Sequence, residues 1–423
     1  MQGKIIHITG PNASGKTRRM EQMRRGAATE HLRYLAFSDA YGPAVDGSYY
    51  LQQRWNQHDI DAETPLVGDV LQRSYAATGP DTPERQALRQ QLYRLFGLDN
   101  MLQRYIISLS SGELRKLQLT KALMAAPETL ILDNPFIGLD APTQQQLAVL
   151  LQQLSDKLGI TVYLVEPTSG YSTLQQGNAA PVSTGTPQLP AGLDMPPYSG
   201  RQAIAMHDIN IIYSGHTILC LPEWQVERGQ HWAITGPNGS GKSTLLSLIC
   251  GDNPQAYACD ISLFGQRRGT GETIWQLKRR IGYVSPEMHR AYRKNLPAVG
   301  VVASGLKDTI GLYVHPTATE EQLCLNWMQL FGVGHLAHRP FLQISSGEQR
   351  MVLLARAFVK DPLLLILDEP MHGLDPDNRQ RVKEIICRWA ARADRTLLMV
   401  SHCDDDFPPL IDHRLSLGGY SSQ

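Results

Sequence analysis

Cysteines at metal-binding spacing are missing from this sequence. Its six cysteines, Cys220, Cys250, Cys259, Cys324, Cys387 and Cys403, all lie in the second half, and none forms a Cys-x-x-Cys pair. That pattern supports neither a structural zinc nor an iron–sulfur cluster, and a chain of this size without a signal region is not built on a disulfide framework. Reduced and mostly buried thiols are the expectation. Charge of one sign is missing as well: 40 Lys and Arg balance 40 Asp and Glu over 423 residues. Net charge therefore does not hold this chain on nucleic acid, although a local basic patch stays open. No apolar run approaches the roughly 18–20 residues that span a bilayer. The start, MQGKIIHITGPNASGKT, has no apolar signal region with a cleavage site, so a cytoplasmic protein is expected. What is present is ordinary globular composition, 42% hydrophobic and 19% charged, in a length that allows two large domains or three ordinary ones.

An internal repeat decides between these. Residues from Leu109 read LSSGELRKLQLTKALMAAPETLILDNPFIGLDAP and run on to TVYLVEP. Residues from Ile344 read ISSGEQRMVLLARAFVKDPLLLILDEPMHGLDPD and run on to TLLMVSH, in the same register without a gap. Each half also opens with a strand-like run, IIHIT or HWAIT, that enters GPNASGKT or GPNGSGKS. Two copies of one α/β domain are expected, at 1–170 and 204–423. The stretch 171–203 between them is rich in Pro, Gly, Ser and Thr and reads as a linker with no packed role. Extended, it is long enough to let the halves meet face to face.

Both openings match G-x-x-x-x-G-K-[ST], a loop whose glycines turn backbone N–H groups inward around phosphate oxygens. The first comprises Gly10, Pro11, Asn12, Ala13, Ser14, Gly15, Lys16 and Thr17; the second comprises Gly236, Pro237, Asn238, Gly239, Ser240, Gly241, Lys242 and Ser243, followed by Thr244. The lysine reaches the β and γ phosphates, and Thr17 or Ser243 offers a hydroxyl to Mg²⁺. The helix that follows adds its positive end. TLILD and LLILD are apolar strands ending in Asp133 and Asp368, the place where a P-loop ATPase holds its Mg²⁺.

The ordered set of P-loop, S-S-G-E, I-L-D-[NE]-P, G-L-D and strand-final S-H resembles the ATP-binding cassette (ABC) ATPases over both halves. The segment from Gly251 to Ser285 is similar to tandem-cassette members labelled for molybdenum transport and for photorepair. The resemblance implies two P-loop cassettes, each a parallel-sheet core with a helical subdomain, paired head to tail around two ATP molecules. Each site would combine the P-loop of one half with the signature loop of the other: Ser110, Ser111, Gly112 and Glu113, or Ser345, Ser346, Gly347 and Glu348. Ser-Ser-Gly-Glu stands here for the commoner Ser-Gly-Gly-Gln and keeps the first serine and last glycine.

The resemblance also implies unequal sites. One combines Lys242, Ser243, Asp368, Glu369 as the base that polarises water, and His402 as the switch histidine, with Ser110 and Gly112; Tyr213 matches the aromatic that stacks on adenine. The other combines Lys16, Thr17 and Asp133 with Ser345 and Gly347, but has Asn134 at the base position and Pro167 at the switch. Asn hydrogen-bonds a water but cannot take its proton, and general base catalysis is worth about 10²–10⁴ in rate, so this site is expected to bind ATP and barely hydrolyse it. Half one starts a few residues before its P-loop, so either its site binds without stacking or the chain start is short. The family's Mg²⁺-contacting glutamine falls at Asp39 and Pro286, with Gln52, Gln53 and Glu287 as substitutes, which weakens the expected coupling to a membrane subunit.

Other signals carry less. Arg267, Arg268, Lys278, Arg279, Arg280, Arg290, Arg293 and Lys294 form a basic stretch that reads first as a solvated surface balanced by acids. His402-Cys403-Asp404-Asp405-Asp406 mixes metal-ligand types, but adjacent residues rarely converge on one ion. Trp224, Trp232, Trp275, Trp327 and Trp389 have no regular spacing and read as packing. Two functions compete. The first is the ATP-binding subunit of a transporter, molybdate-related, docked on separate membrane permeases at the inner face of the plasma membrane. The second is an ABC ATPase acting on nucleic acid or ribonucleoprotein, which the missing glutamines favour and the absent zinc and iron–sulfur cysteines disfavour. A protein with little turnover is the third reading, against which Glu369 and His402 count.

Overall fold

The computed structural model describes residues 3–10, 19–20, 22–23, 32–35, 64–109, 111–136, 139, 141–166, 189–190, 192, 198–213 and 216–418. In half one the strands β1 (Ile5–Ile8), β2 (Leu32–Leu35), β3 (Thr129–Asp133) and β4 (Thr161–Val165) form a parallel sheet in the order β2-β3-β4-β1. Helices α1 (Val67–Ala77), α2 (Pro83–Phe96), α3 (Ser111–Met124) and α4 (Ala141–Leu158) accompany it. Half two opens with a pair of long antiparallel strands, β5 (Gln202–Tyr213) and β6 (His216–Glu227), then β7 (His231–Thr235) and α5 (Lys242–Cys250). It continues with β8 (Asp260–Leu263), β9 (Gln266–Arg267), α6 (Ile274–Lys278), β10 (Ile281–Val284), α7 (Pro286–Ala291), α8 (Ala298–Ala303) and α9 (Ala318–Leu330). The last elements are α10 (Ser346–Phe358), β11 (Leu364–Asp368), α11 (Pro376–Ala390), β12 (Thr396–Val400) and β13 (His413–Ser416).

The half-two parallel sheet runs β10-β11-β12-β7-β13, so its first four strands repeat the half-one order element for element. Its central strands LLILD and TLLMV are continuous apolar runs because helices cover both faces of a parallel sheet. Four of five residues of β11 and all five of β12 are buried. The antiparallel sheet β6-β5-β8-β9 leans on this core through Ile204, Met206, Val226 and Leu245. A second apolar centre joins α8, α9, α10 and α11, where Phe358 packs 5.5 Å from Trp327 and 5.9 Å from Trp389, centroid to centroid.

Local chemistry sets the helix starts. Thr317 and Ser345 each close a reciprocal cap with the glutamate three residues on, Glu320 and Glu348. The Glu of Ser-Ser-Gly-Glu therefore has a structural task at the head of α10. Asp375, the aspartate of G-L-D, caps α11 with Pro376 at its first position.

Two expectations need correction. Only Cys250 and Cys324 are buried, Cys403 is exposed, and the other three are intermediate; Cys220 lies on a strand of the outer antiparallel sheet and Cys403 in the loop after β12, where one side meets water. The interdomain stretch also packs where it is described. Leu189 lies on the apolar centre of half two, and a Cβ on Gly192 would fall 2.5 Å from Cβ of Asp361. Tyr198 meets Phe264 edge-on at 5.6 Å and donates to the Gln202 carbonyl at 2.6 Å. Composition hid these contacts because single apolar residues among Pro and Gly carry no periodicity. Residues 171–188 lie outside the described residues.

Three residues of the basic stretch pair with acids: Arg267 with Asp260 at 3.2 Å, Arg268 with Glu272 at 3.1 Å, Lys278 with Asp252 at 2.7 Å. Trp224, Trp327 and Trp389 are buried, Trp232 stacks on His413 at 4.7 Å, and Trp275 is exposed. No helix of the described residues is long and apolar enough to cross a membrane.

Candidate active site

Strand order brings the candidate residues together. β7, β12 and β11 are adjacent and parallel, so the residues that follow their C-terminal ends emerge along one edge. Those residues are the loop 236–243 after β7, His402 after β12, and Asp368 and Glu369 at the end of β11. β7 precedes the others in sequence yet lies between β12 and β13, so this edge is a topological switch point, the usual place for a ligand in such sheets.

The glycine pattern of the second loop is required by its conformation. Gly236, Gly239 and Gly241 have φ of 148°, 82° and 88°. A Cβ at Gly236 would lie 2.4 Å from the Leu417 carbonyl oxygen, and one at Gly241 2.5 Å from that of Ile218. Lys242 is buried at the first position of α5 and donates from Nζ to the carbonyls of Gly236 and Pro237, both at 2.7 Å. Its ammonium is thereby held across the mouth of the loop. Ser240 is buried, and Ser243 follows Lys242 in the first turn of α5.

Glu369 sits in a left-handed backbone, φ 51°, immediately after β11. Such a conformation costs a non-glycine residue about 1–2 kcal/mol. It persists because its surroundings fix it: its N–H donates to the Val400 carbonyl at 2.9 Å, and Arg350 Nη2 donates to the carbonyls of Asp368 at 2.9 Å and Glu369 at 2.5 Å. His402 Nε2 stands 3.6 Å from Glu369 Oε1. Ser401 steers that turn, donating to Asp406 Oδ2 at 2.8 Å and accepting from the Cys403 N–H at 3.1 Å. Asp406 is thus a structural partner, and no group of three or more His, Cys, Asp or Glu suited to a metal occurs among the described residues. Burial pushes the Glu369 carboxyl up to about 8, helped by the charges of Asp368 and Asp406 and opposed by Lys242 and Arg350. Its Oε1 has no hydrogen-bond partner among the described residues.

Ser243 and Asp368 fit Mg²⁺. A hydroxyl and one carboxylate are hard oxygen donors, and Mg²⁺ commonly binds one or two such groups plus substrate phosphates and waters. Two carboxylates on successive residues, Asp368 and Glu369, also repel each other here, as the rise at Glu369 shows.

Half one repeats the frame with different side chains. Asn134 has φ 49°, and its N–H donates to the Val165 carbonyl at 2.8 Å. Arg115 Nη2 donates to the carbonyls of Asp133 at 2.7 Å and Asn134 at 3.0 Å, as Arg350 does in half two. The Asn134 amide donates to Asp133 Oδ1 at 2.9 Å, an interaction that an ionised Glu369 cannot offer Asp368. Pro11 to Thr17, Ser110 and Pro167 lie outside the described residues, as do Asp39, Gln52 and Gln53. Gly10 ends the described run from β1, with φ 158°.

Between the halves, a Cβ built on Gly239 would lie 3.9 Å from Oε1 of Glu113, the glutamate of the half-one signature. Glu113 is held by Arg104, whose Nη1 donates to Oε1 at 2.7 Å, while Gly112 is buried beside it. Glu348 of the half-two signature folds back on Ser345, accepting from its N–H at 2.7 Å. Tyr213 ends β5, paired with His216 of β6. Pro286 is the first residue of α7 and Glu287 is half-buried next to it. Sequence reasoning passed over Arg115 and Arg350: a buried arginine among the polar residues of a helix looks like a solvated one.

Comparison with known proteins agrees with this geometry. The family model described as ABC transporter matches residues 1–137 and 222–372. The chain is 36% identical over 451 residues to the ABC transporter ATP-binding protein ModF of Escherichia coli, spanning 96% of this chain and 90% of that one. It is 29% identical over 396 residues to an uncharacterized ABC transporter ATP-binding protein of Schizosaccharomyces pombe, spanning 87% and 79%. It is 33% identical over 204 residues, 48% of this chain and 77% of the relative, to the zinc uptake system ATP-binding protein ZurA of Listeria innocua. With the family model matching both halves and one relative aligned along nearly its whole length, this chain belongs to the ABC transporter ATP-binding family as a member with two cassettes.

Proposed function

We propose that the chain hydrolyses ATP at one composite site, formed by the P-loop, Asp368, Glu369 and His402 of half two and the signature loop 110–113 of half one. The observation that carries this reading is the Glu369 carboxyl, buried at the shared strand edge with His402 Nε2 3.6 Å from its Oε1. The approach of Glu113 to Gly239 supports head-to-tail pairing of the halves within the chain. Backbone N–H groups of the loop 236–243 bind the phosphates, and Lys242 exchanges its loop carbonyls for phosphate oxygens. Mg²⁺, when bound through Ser243 and Asp368, supplies charge neutralisation of the phosphates. Glu369 accepts the proton of the attacking water, and His402 holds water and base in line. Tyr213 supplies the stacking surface for adenine.

In the other composite site, Lys16, Thr17 and Asp133 with the loop 345–348 bind ATP and leave it intact. Asn134 lacks a basic atom, and its amide is committed to Asp133. The domains of this reading are 1–170 and 204–423 with a linker at 171–203.

The turnover drives transport. The chain works from the cytoplasm on separate membrane permeases, in molybdate-related uptake, a reading supported by the ModF relative. A second reading, action on nucleic acid or ribonucleoprotein, is favoured by one observation: Pro286 occupies the position of the family's coupling glutamine and opens a helix instead. Affinity purification of Glu369→Gln from its native cell with ATP and Mg²⁺ separates the two. Permease subunits in the eluate support transport; ribosomes or DNA in their place contradict it.

A further inference from the structure

One histidine beside Glu369 is left unused by the chemistry above. His372 lies three residues on, and its backbone N–H donates to the Glu369 carbonyl at 3.2 Å. Its Nδ1 stands 4.0 Å from Glu369 Oε2, while His402 Nε2 stands 3.6 Å from Oε1. The carboxylate is bracketed by two imidazoles, one toward each oxygen. Burial, then the charges of Arg350, His402, Arg379 and Arg115, hold the His372 ring down to about 3, so it is neutral at any working pH. Arg115 belongs to half one, where it straps the carbonyls of Asp133 and Asn134.

The repeat supplies an independent observation. In the aligned register, Glu369, His372 and His402 of half two face Asn134, Ile137 and Pro167 of half one. All three are replaced together. The aligned residue of half one is an isoleucine, whose side chain has no hydrogen-bonding atom, so the repeated sequence frame does not itself call for a histidine. A neutral ring also suits the position, because a protonated one would pair with the carboxylate and weaken it as a base.

We infer that His372 is a positioning residue for this reaction: it fixes the Oε2 side of Glu369, so that Oε1 is the oxygen turned toward the attacking water beside His402. The inference rests on the reading of half two as the hydrolytic site. Its test is steady-state ATP turnover of the full chain in three variants, Glu369→Gln, His372→Ile and His372→Asn. His372→Ile, which installs the residue found in half one, should lower kcat about tenfold with KM for ATP within about twofold, as expected for lost orientation of a reacting group. His372→Asn keeps a polar atom at the Nδ1 position and should recover kcat to within about threefold of wild type. Unchanged kcat in His372→Ile, with turnover lost in Glu369→Gln, overturns the inference and leaves the hydrolytic reading standing. Equal losses in the Ile and Asn variants, or a loss confined to KM, mean a structural role and overturn it too. Turnover retained in Glu369→Gln overturns the reading beneath it.

Discussion

Replacing Glu369 by Gln should make the nucleotide-free protein more stable at high pH while removing its activity. An ordinary glutamate titrates near 4.5, and burial lifts this one to about 8. The folded state therefore prefers the protonated carboxyl, and the unfolded state releases its proton first. The sign follows from linkage: stability associated with this group is fully present below about pH 4.5 and is lost as pH rises through about 8. At about 1.4 kcal/mol per pH unit the span corresponds to at most about 5 kcal/mol. Water entering the opened site reduces what is observed, so an advantage of about 2–4 kcal/mol for Glu369→Gln at pH 9 is the expectation. Urea unfolding of both proteins at pH 5, 7 and 9, followed by tryptophan fluorescence, measures it, since five of the six tryptophans lie in half two. The advantage should be near zero at pH 5 and grow with pH. Parallel curves would refute the argument that burial of Glu369 outweighs the charges of Lys242 and Arg350. The same group predicts that wild-type kcat/KM for ATP rises with pH and levels off above about 8, because this ratio reports the free enzyme's base.

Three further outcomes follow from named contacts. Asp361 accepts from Arg392 at 2.8 and 2.5 Å and from Arg395 at 2.6 Å. Burial raises its carboxyl, but those bonds outweigh it and hold the group below its usual value. Asp361→Asn should cost about 3–5 kcal/mol near neutral pH. The difference from wild type should close as pH falls through the depressed titration of Asp361, as thermal unfolding would show. Arg350→Ala strips the carbonyls of Asp368 and Glu369 of their donor and should cost about 2–4 kcal/mol. It should also lower kcat more than KM rises, measurable in one turnover series. Asn134→Ala removes a side-chain hydrogen bond to Asp133 in the site proposed to bind ATP without turning it over. It should change steady-state turnover less than about twofold, and a loss like that of Glu369→Gln would mean the two sites are not divided as proposed.

The fold was legible because its strongest signals are local. TLILD and LLILD could be read as buried parallel strands from their apolar runs, and the glycines of GPNGSGKS demanded a loop that no other residue accommodates. The in-register repeat supplied the two-cassette organisation. What escaped depends on contacts distant in sequence or on backbone conformation. The left-handed turn at Glu369 is held by Arg350 from α10 and by Val400 from β12, neither of which composition connects to it. Glu113 is bound by Arg104 from nine residues upstream, a contact that the repeat pattern does not announce. His372 was invisible because its neighbours on the site come from three separate segments. Leu189 and Tyr198 pack from a stretch whose Pro and Gly content argued for a bare linker.

The pairing of the halves is tested most directly by placing one carboxylate in each signature loop in turn. Gly112→Asp alters the half-one loop and Gly347→Asp the half-two loop; both should be assayed for ATP hydrolysis by the intact chain. If the half-one signature completes the site built on Lys242, Glu369 and His402, Gly112→Asp abolishes turnover, because a negative group then faces the γ-phosphate. Gly347→Asp keeps most of it, because that loop serves the site with Asn134. The opposite ranking, or equal loss from both, would contradict the composite arrangement.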